Sequence, residues 1–184
     1  MIEFNHDLWL ARAEARFKRA SKGVTAKSHR DEIKGQFLRE VRCIAGLAEV
    51  IGWCGIKGVR VSFGKKVGAA YDAIEKTVTI AGRMSPEKQL YFLLHECGHH
   101  LIGFDEGDER FGRGYPLATD PNHNATFQHR LACLEEEIEA WHRGWRLAKR
   151  LGLEIDREDF DKIRAECLRS YVRWANGRRL MLTE

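Results

Sequence analysis

Two histidines and a glutamate stand close together in the segment His95-Glu96-Cys97-Gly98-His99. If this segment is helical, His95 and His99 lie one turn apart on the same face, so both imidazoles can reach one metal ion. Glu96 then points to the flank of that face, where it can take a proton from a metal-bound water. The spacing therefore predicts a catalytic zinc site with two histidine ligands and Glu96 as the general base.

A catalytic zinc site needs a third protein ligand, and the best candidate lies on a later helix. This helix carries the acidic residues Glu135, Glu136, Glu137 and Glu139 beside an apolar stripe of Leu131, Leu134, Ile138, Trp141 and Trp145, continued by Ala148. At about 100° per residue, Glu137 lies roughly 70° from the middle of the stripe and Glu135 roughly 90° away on the other flank. Glu136 and Glu139 are predicted to point toward solvent. A carboxylate near apolar neighbours is costly unless it is paired or bound to metal, which favours Glu137, although its geometric advantage over Glu135 is small.

Helices and a small sheet are predicted to position these residues. Apolar residues at helical spacing predict helices over about residues 6–20, 29–52, 85–102, 125–151 and 157–174. In the helix that carries the motif, Ser85 is the expected N-cap, Pro86 the first helical residue and Gly103 the end. Alternating segments predict strands over about residues 59–63, 69–73 and 77–80, the last two joined in a hairpin.

Other residues near the motif are predicted to have supporting roles. Cys97 faces the core, and His100 turns away from the ligand face, either to support a ligand or to lie at the surface. Hydrolysis also needs a hydrogen-bond donor for the oxyanion, which is expected from the loop after the motif helix or from the last helices. The candidate donors are Tyr115, His123 and His129.

Length and composition predict one domain without a membrane segment. The chain has 184 residues, enough for a single core, and no apolar run approaches the roughly 20 residues that span a bilayer. Residues 1–55 form a helical N-terminal part, 56–151 the core with the metal site, and 152–184 the C-terminal helix. Five cysteines at irregular spacings and an N-terminus without a signal-like apolar stretch favour a cytoplasmic location.

Basic residues are concentrated in the N-terminal part, although the net charge is only +4. They are Arg12, Arg16, Lys18, Arg19, Lys22, Lys27 and Arg30, and Arg178 and Arg179 form a smaller group near the other end. Solvated helix faces are the expected explanation. The alternative is a surface for nucleic acid or for an acidic protein, in which case the chain is a binding module with a non-catalytic or decayed metal site.

The two motifs together resemble a known class of enzymes. The segment from His95 to His99 followed by Glu137-Ile138-Glu139-Ala140 is similar to the gluzincins, zinc metallopeptidases whose third ligand is the glutamate of E-x-x-A or E-x-E-A. With the hairpin Tyr71-Asp72 to Thr77-Val78-Thr79-Ile80 and the helix start Ser85-Pro86-Glu87, about residues 67–150 resemble the ImmA/IrrE-type family of small cytosolic and prophage-associated metallopeptidases.

The resemblance implies an α+β fold with a zincin-like minimal metallopeptidase core. A small antiparallel sheet would pack on the motif helix and on the ligand helix, with additional helices at both ends. The implied ligands of Zn²⁺ are His95, His99 and Glu137, and Glu96 is the implied base. The implied activity is cleavage of a cytosolic regulatory protein such as a repressor, which would pair as an extended strand with the outer strand of the hairpin.

The chain also departs from this family. Trp141 stands where the family usually has Asn or Asp, and an L-M-P segment further along is absent. Two other enzymatic alternatives keep the zinc: an amidase that acts on peptidoglycan or another amide, and a peptidase whose cleft is covered by the loop from Phe104 to Asn124 until a partner binds. The sequence leaves the substrate and the oligomeric state open.

Overall fold

The structure is a computed structural model, and it describes residues 4–65, 68–104 and 126–176. Its elements, in chain order, are α1 (His6–Ser21), α2 (Lys27–Ile56), β1 (Arg60–Gly64), β2 (Ala70–Asp72), β3 (Thr77–Ala81), α3 (Pro86–Phe104), α4 (Phe127–Arg150) and α5 (Arg157–Ala175). The predicted α+β class is confirmed, because five helices and a three-stranded sheet occupy the described ranges. Helix α3 continues one residue beyond Gly103, its predicted end.

The sheet has the strand order β1-β3-β2. The hairpin is antiparallel as predicted, with Ala70 opposite Thr79, and its turn is closed by the Asp72 carboxylate, which accepts from the Ile74 N–H at 3.0 Å. Strand β1 instead runs parallel to β3. The prediction of an antiparallel sheet is therefore wrong for β1, because alternation of apolar and polar residues has the same period in both orientations.

Helix α3 begins as its sequence predicts. Ser85 Oγ accepts a hydrogen bond from the Lys88 N–H at 3.3 Å, and Pro86 is the first helical residue. The Gln89 side-chain amide donates to the carbonyl of Ala81 at 3.1 Å, which ties the start of the helix to the end of β3. The predicted core positions Leu90, Leu93, Leu94 and Cys97 are buried, and Leu101 is half-buried. On the opposite side His95 and Ile102 are also buried, because α4 packs there.

Helices α3 and α4 approach each other at backbone contact. A Cβ atom added to Gly98 would lie 1.9 Å from the carbonyl oxygen of Ala140, and one added to Gly144 would lie 2.5 Å from that of Leu94. The inner face of α4 is therefore built on Ala140, Gly144 and Ala148, each four residues apart. The predicted apolar stripe is wrong at its start, since Leu131 is 41% exposed.

Helix α5 and several aromatic rings complete the core around these two helices. The Phe160 ring lies 5.4 Å from the ring of Tyr91 and 5.3 Å from the ring of Trp141, measured between centroids. Cys97 is fully buried, as predicted, with its sulfur 3.4 Å from that of Cys54, and none of the five cysteines forms a disulfide. No helix within the described ranges has the length and apolar character needed to cross a bilayer.

Candidate metal centre

The three residues predicted as ligands meet where α3 and α4 are closest. His95 and His99 lie one turn apart on α3, on either side of Gly98, and Glu137 lies one turn before Ala140 on α4. Glu137 Oε2 is 3.2 Å from His95 Nε2, and its Oε1 is 3.5 Å from His99 Nε2. One ligand atom from each residue lies within 4.8 Å of the others. The backbone contact at Gly98 therefore brings the carboxylate between the two imidazoles.

The spacing of these atoms suits a small metal ion. Ligand atoms that bind zinc at about 2.0–2.2 Å with tetrahedral angles lie about 3.3 Å from one another. The distances of 3.2 Å from Glu137 Oε2 to His95 and of 3.5 Å from Glu137 Oε1 to His99 are close to this value, and one ligand atom from each residue lies within 4.8 Å of the others. Two imidazoles and one carboxylate form a donor set that several divalent transition metals accept. The group of His95, His99 and Glu137 can therefore hold a metal ion.

Hydrogen bonds with neighbouring side chains shift the pKa values of Glu137 and His99 when no metal is bound. Burial alone would raise the pKa of Glu137, but hydrogen bonds with His95 and His99 outweigh it and hold the pKa far below its usual range. Burial alone would lower the pKa of His99, but hydrogen bonds with Glu136 and Glu137 outweigh it and raise the pKa to about 10. At neutral pH the metal-free site therefore has an ionised Glu137 and a protonated His99.

This protonation predicts that metal binding strengthens as the pH rises. A metal must displace the proton on His99 Nε2, so the apparent affinity should increase by about tenfold for each pH unit below the raised pKa. Glu137 is already ionised and contributes no proton. Calorimetric titration with zinc in buffers of different ionisation enthalpy would count the protons released. An affinity that stays constant between about pH 6.5 and 8.5 would contradict the prediction.

Glu96 is buried beside the three ligand residues. Burial raises its pKa and the Glu137 carboxylate adds to this effect, while interactions with His95, His99 and the backbone N–H of Tyr71 act in the opposite direction. Tyr71 belongs to β2, so the edge of the sheet holds the carboxyl group at the flank of the motif face. This is the position from which the sequence predicts Glu96 to act as a base.

Of the two places predicted for His100, the structure excludes the surface. It is fully buried, and its Nδ1 is 2.8 Å from the phenol oxygen of Tyr71, so a surface position is wrong. Its ring also meets that of Trp53 edge-on at 6.1 Å. Burial lowers the pKa of His100, which favours its neutral form. The residue ties α3 to the sheet and to α2, and together with the Glu96 contact it fixes the motif helix against β2.

The four glutamates of α4 differ in their exposure and in the side chains that they contact. Glu135 is exposed, so the structure decides the close choice between Glu135 and Glu137 in favour of Glu137. Glu136 is not directed to solvent as predicted, because its Oε1 is 3.1 Å from His99 Nδ1. Glu139 is also half-buried, and its Oε1 accepts from Arg143 at 2.9 Å. Rotation of α4 toward its small residues turns Glu136 inward and explains the first error, whereas Glu139 is half-buried beside the Arg143 guanidinium with which it pairs.

Trp141 supports the site from the position where the resembling family has Asn or Asp. Its ring is fully buried and stacked on the His95 imidazole, with centroids 4.4 Å apart and planes at 18°. His95 Nδ1 and Trp141 Nε1 are buried, and neither has a hydrogen-bond partner among the described residues. A flat aromatic contact thus replaces the polar contact that Asn or Asp could offer.

Of the three predicted oxyanion donors, the structure describes His129. Tyr115 and His123 lie outside the described residues, as does most of the loop proposed to cover the cleft. His129 is buried, with its Nε2 3.7 Å from Cys133 Sγ, and it precedes Glu137 by eight residues on α4, about 12 Å along the helix axis. Tyr171 of α5 lies near Glu137, and burial together with the negative charge of that carboxylate raises the pKa of its phenol.

The basic N-terminal residues lie exposed on α1, in the link to α2 and at the start of α2. Arg16 forms an ion pair with Glu40, so part of this charge is neutralised locally. Arg178 and Arg179 lie outside the described residues. A solvated face and a polyanion-binding surface both require exposure, so the placement favours neither explanation.

Comparison with protein-family models, with curated proteins and with solved structures gives no match for this chain. The motifs and the geometry of the site are therefore the basis of the functional argument.

Proposed function

We propose that the chain is a zinc-dependent metallopeptidase that hydrolyses a peptide bond in a cytosolic protein, such as a regulatory protein. The main support is the position of the Glu137 carboxylate, 3.2 Å from His95 Nε2 and 3.5 Å from His99 Nε2, although Glu137 comes from a separate helix. Three ligands of this kind with a carboxylic acid beside them are the requirements of a zinc hydrolase. The resemblance of both motifs to the ImmA/IrrE-type family supports the same proposal.

His95, His99 and Glu137 would hold the zinc ion, which when bound supplies a Lewis acid that polarises a carbonyl and lowers the pKa of a water. Glu96 takes the proton from the attacking water and gives it to the leaving amine. Burial raises the pKa of Glu96, which makes its carboxylate a stronger base toward that proton. The Tyr71 N–H keeps the Glu96 carboxyl group in place during both transfers.

Tyr171 is the donor that we assign to the developing oxyanion. Its phenol interacts electrostatically with Glu137, one of the three ligand residues, and burial raises its pKa and so keeps it protonated at neutral pH. His129 is less suitable because its imidazole lies against Cys133 and Trp174. A substrate carbonyl that enters between Tyr171 and the ligand group would accept a hydrogen bond from this phenol.

The substrate segment is proposed to lie extended along β2. This strand pairs with β3 on one side and is an edge of the described sheet. Main-chain hydrogen bonds from such an edge recognise extended peptides with little dependence on sequence. The Tyr71 N–H already donates to Glu96, so a peptide would use other main-chain groups at this edge.

The substitution Glu96→Gln tests the proposed reaction. The variant should keep its metal, because Glu96 is not among the three grouped ligand residues, while proteolysis should fall by about 10²–10⁴-fold with loss of the base. Mass spectrometry of host cells should find proteins that are cut when the wild type is expressed and intact when the variant is expressed. The matched control is Glu135→Gln, an exposed residue near the site, which should cut like the wild type.

The same experiment separates the proposal from its alternatives. Equal cleavage by the wild type and by Glu96→Gln would show that Glu96 is not the base. Absence of cut proteins, combined with strongly salt-dependent DNA binding by zinc-free protein, would favour the basic binding module. Equimolar zinc in the purified protein would count against that module.

A further inference from the structure

We propose that Glu136 is a positioning residue that holds the His99 imidazole in the orientation and tautomer needed to bind a metal. The inference rests on the metal centre of the proposed function and adds a residue that belongs to neither motif. The observation behind it is that the two ring nitrogens of His99 face the carboxylates of two consecutive residues of α4, Glu136 and Glu137.

Each nitrogen of His99 has a different partner. Nε2 faces Glu137 Oε1 at 3.5 Å, on the side of the ligand group, while Nδ1 faces Glu136 Oε1 at 3.1 Å. Consecutive residues of a helix point about 100° apart, so the two carboxylates reach the imidazole at different edges. When Nε2 binds a metal, the remaining ring proton must sit on Nδ1, where Glu136 accepts it. Glu136 therefore selects the tautomer with a free lone pair on Nε2.

The other histidine is held differently. His95 Nε2 faces Glu137 Oε2 at 3.2 Å, but its buried Nδ1 has no hydrogen-bond partner among the described residues. Stacking on Trp141 fixes the plane of the His95 ring without selecting a tautomer. Glu136 is thus the carboxylate that sets the tautomer of His99, and its loss would leave neither imidazole held by a charged hydrogen bond outside the ligand group.

Glu136 lies where its negative charge interacts strongly with His99. Its side chain is 23% exposed and the His99 side chain 15%, so water screens the pair much less than it screens a surface ion pair. The neighbouring residue Glu135 is exposed, so water screens its charge. A carboxylate that orients a ligand histidine typically changes metal affinity by about 10–100-fold. We expect an effect of this size from Glu136 and none from Glu135.

The test measures zinc affinity by competition with a chromophoric chelator for the wild type, Glu136→Ala, Glu136→Gln and the control Glu135→Ala. Once each affinity is corrected for the proton that zinc displaces from His99, Glu136→Ala should bind zinc about 10–100-fold more weakly than the wild type, and Glu135→Ala should match the wild type. Glu136→Gln should fall between them, because its amide oxygen still accepts the Nδ1 proton but carries no charge. Partial rescue by this isosteric change distinguishes positioning of His99 from a general packing role.

Two further readouts make the result decisive. In proton–nitrogen NMR spectra of the zinc-loaded protein, the His99 Nδ1 proton should be protected from solvent exchange in the wild type and lost in Glu136→Ala. Thermal unfolding with a chelator present shows whether each variant is folded before its affinity is compared. Equal zinc affinity of folded Glu136→Ala and Glu135→Ala would overturn this inference alone, whereas a wild type that binds no zinc would overturn the proposed metal centre itself.

Discussion

Replacing Gly98 with alanine is expected to destroy the metal centre and to destabilise the whole protein. The added Cβ would lie 1.9 Å from the carbonyl oxygen of Ala140, which is closer than two non-bonded heavy atoms can approach. Since the obstacle is backbone in the middle of α4, the clash can be relieved only by moving one helix away from the other. That movement separates Glu137 from both histidines, because all three residues flank the point of contact.

The expected loss of stability is about 3 kcal/mol or more, at the upper end of the usual range for overpacking, because neither backbone can yield locally. For a domain of this size such a loss lowers the melting temperature by roughly 6–12 °C. Thermal unfolding and zinc titration of the same sample measure both effects. A melting temperature and zinc affinity equal to those of the wild type would contradict the close approach of α3 and α4.

The matched control is the same substitution at Gly52, an exposed position inside α2 whose added Cβ would meet no atom within 4 Å. Alanine is a better helix former than glycine by about 1 kcal/mol, so Gly52→Ala should be neutral or slightly stabilising. The contrast between the two substitutions isolates the helix contact from the intrinsic propensity of glycine. Gly144→Ala, with 2.5 Å to the Leu94 carbonyl oxygen, should resemble Gly98→Ala.

The helices and strands could be predicted from the sequence because their signals are local. The start of α3 follows from Ser85 and Pro86, and the hairpin follows from alternation around a turn with Asp72 at its first position. The direction of β1 could not be predicted in this way, since it depends on pairing with a strand that lies later in the chain. Local patterns carry no information on which side of β3 the first strand docks.

The candidate site could be predicted in part, for a similar reason. His95, Glu96 and His99 share one helical turn, so their spacing alone places them together. The inner face of α4 is harder to predict, because its large apolar residues indicate one stripe, whereas the contact with α3 is made by Ala140, Gly144 and Ala148. The recurrence of small residues at every fourth position was a usable signal, and it would have placed Glu136 closer to the inner face. The contribution of Tyr171 depends on the docking of α5 and has no local signal.

The substitution Glu137→Ala is expected to remove most of the metal affinity while leaving the fold intact. Structural zinc sites in small domains bind with about 10–16 kcal/mol for four ligands, so one ligand accounts for roughly 3 kcal/mol, or at least a hundredfold in affinity. Two imidazoles one turn apart remain in the variant, and they should retain only weak binding. Zinc titration against a chelator measures the difference from the wild type.

The control for this substitution must be chosen by contact and not only by charge. Glu136→Ala is unsuitable as a neutral control because Glu136 touches His99, whereas Glu135→Ala removes an equal charge from an exposed position of the same helix. Retention of wild-type affinity by Glu137→Ala would contradict the assigned centre, since His95, His99 and Glu137 form the group of possible ligands found among the described residues. Loss of affinity in Glu137→Ala but not in Glu135→Ala would instead show that the metal is bound by the Glu137 carboxylate and not by the overall negative charge of α4. That distinction carries the metallopeptidase proposal, because a general acidic surface binds cations without a water-activating geometry.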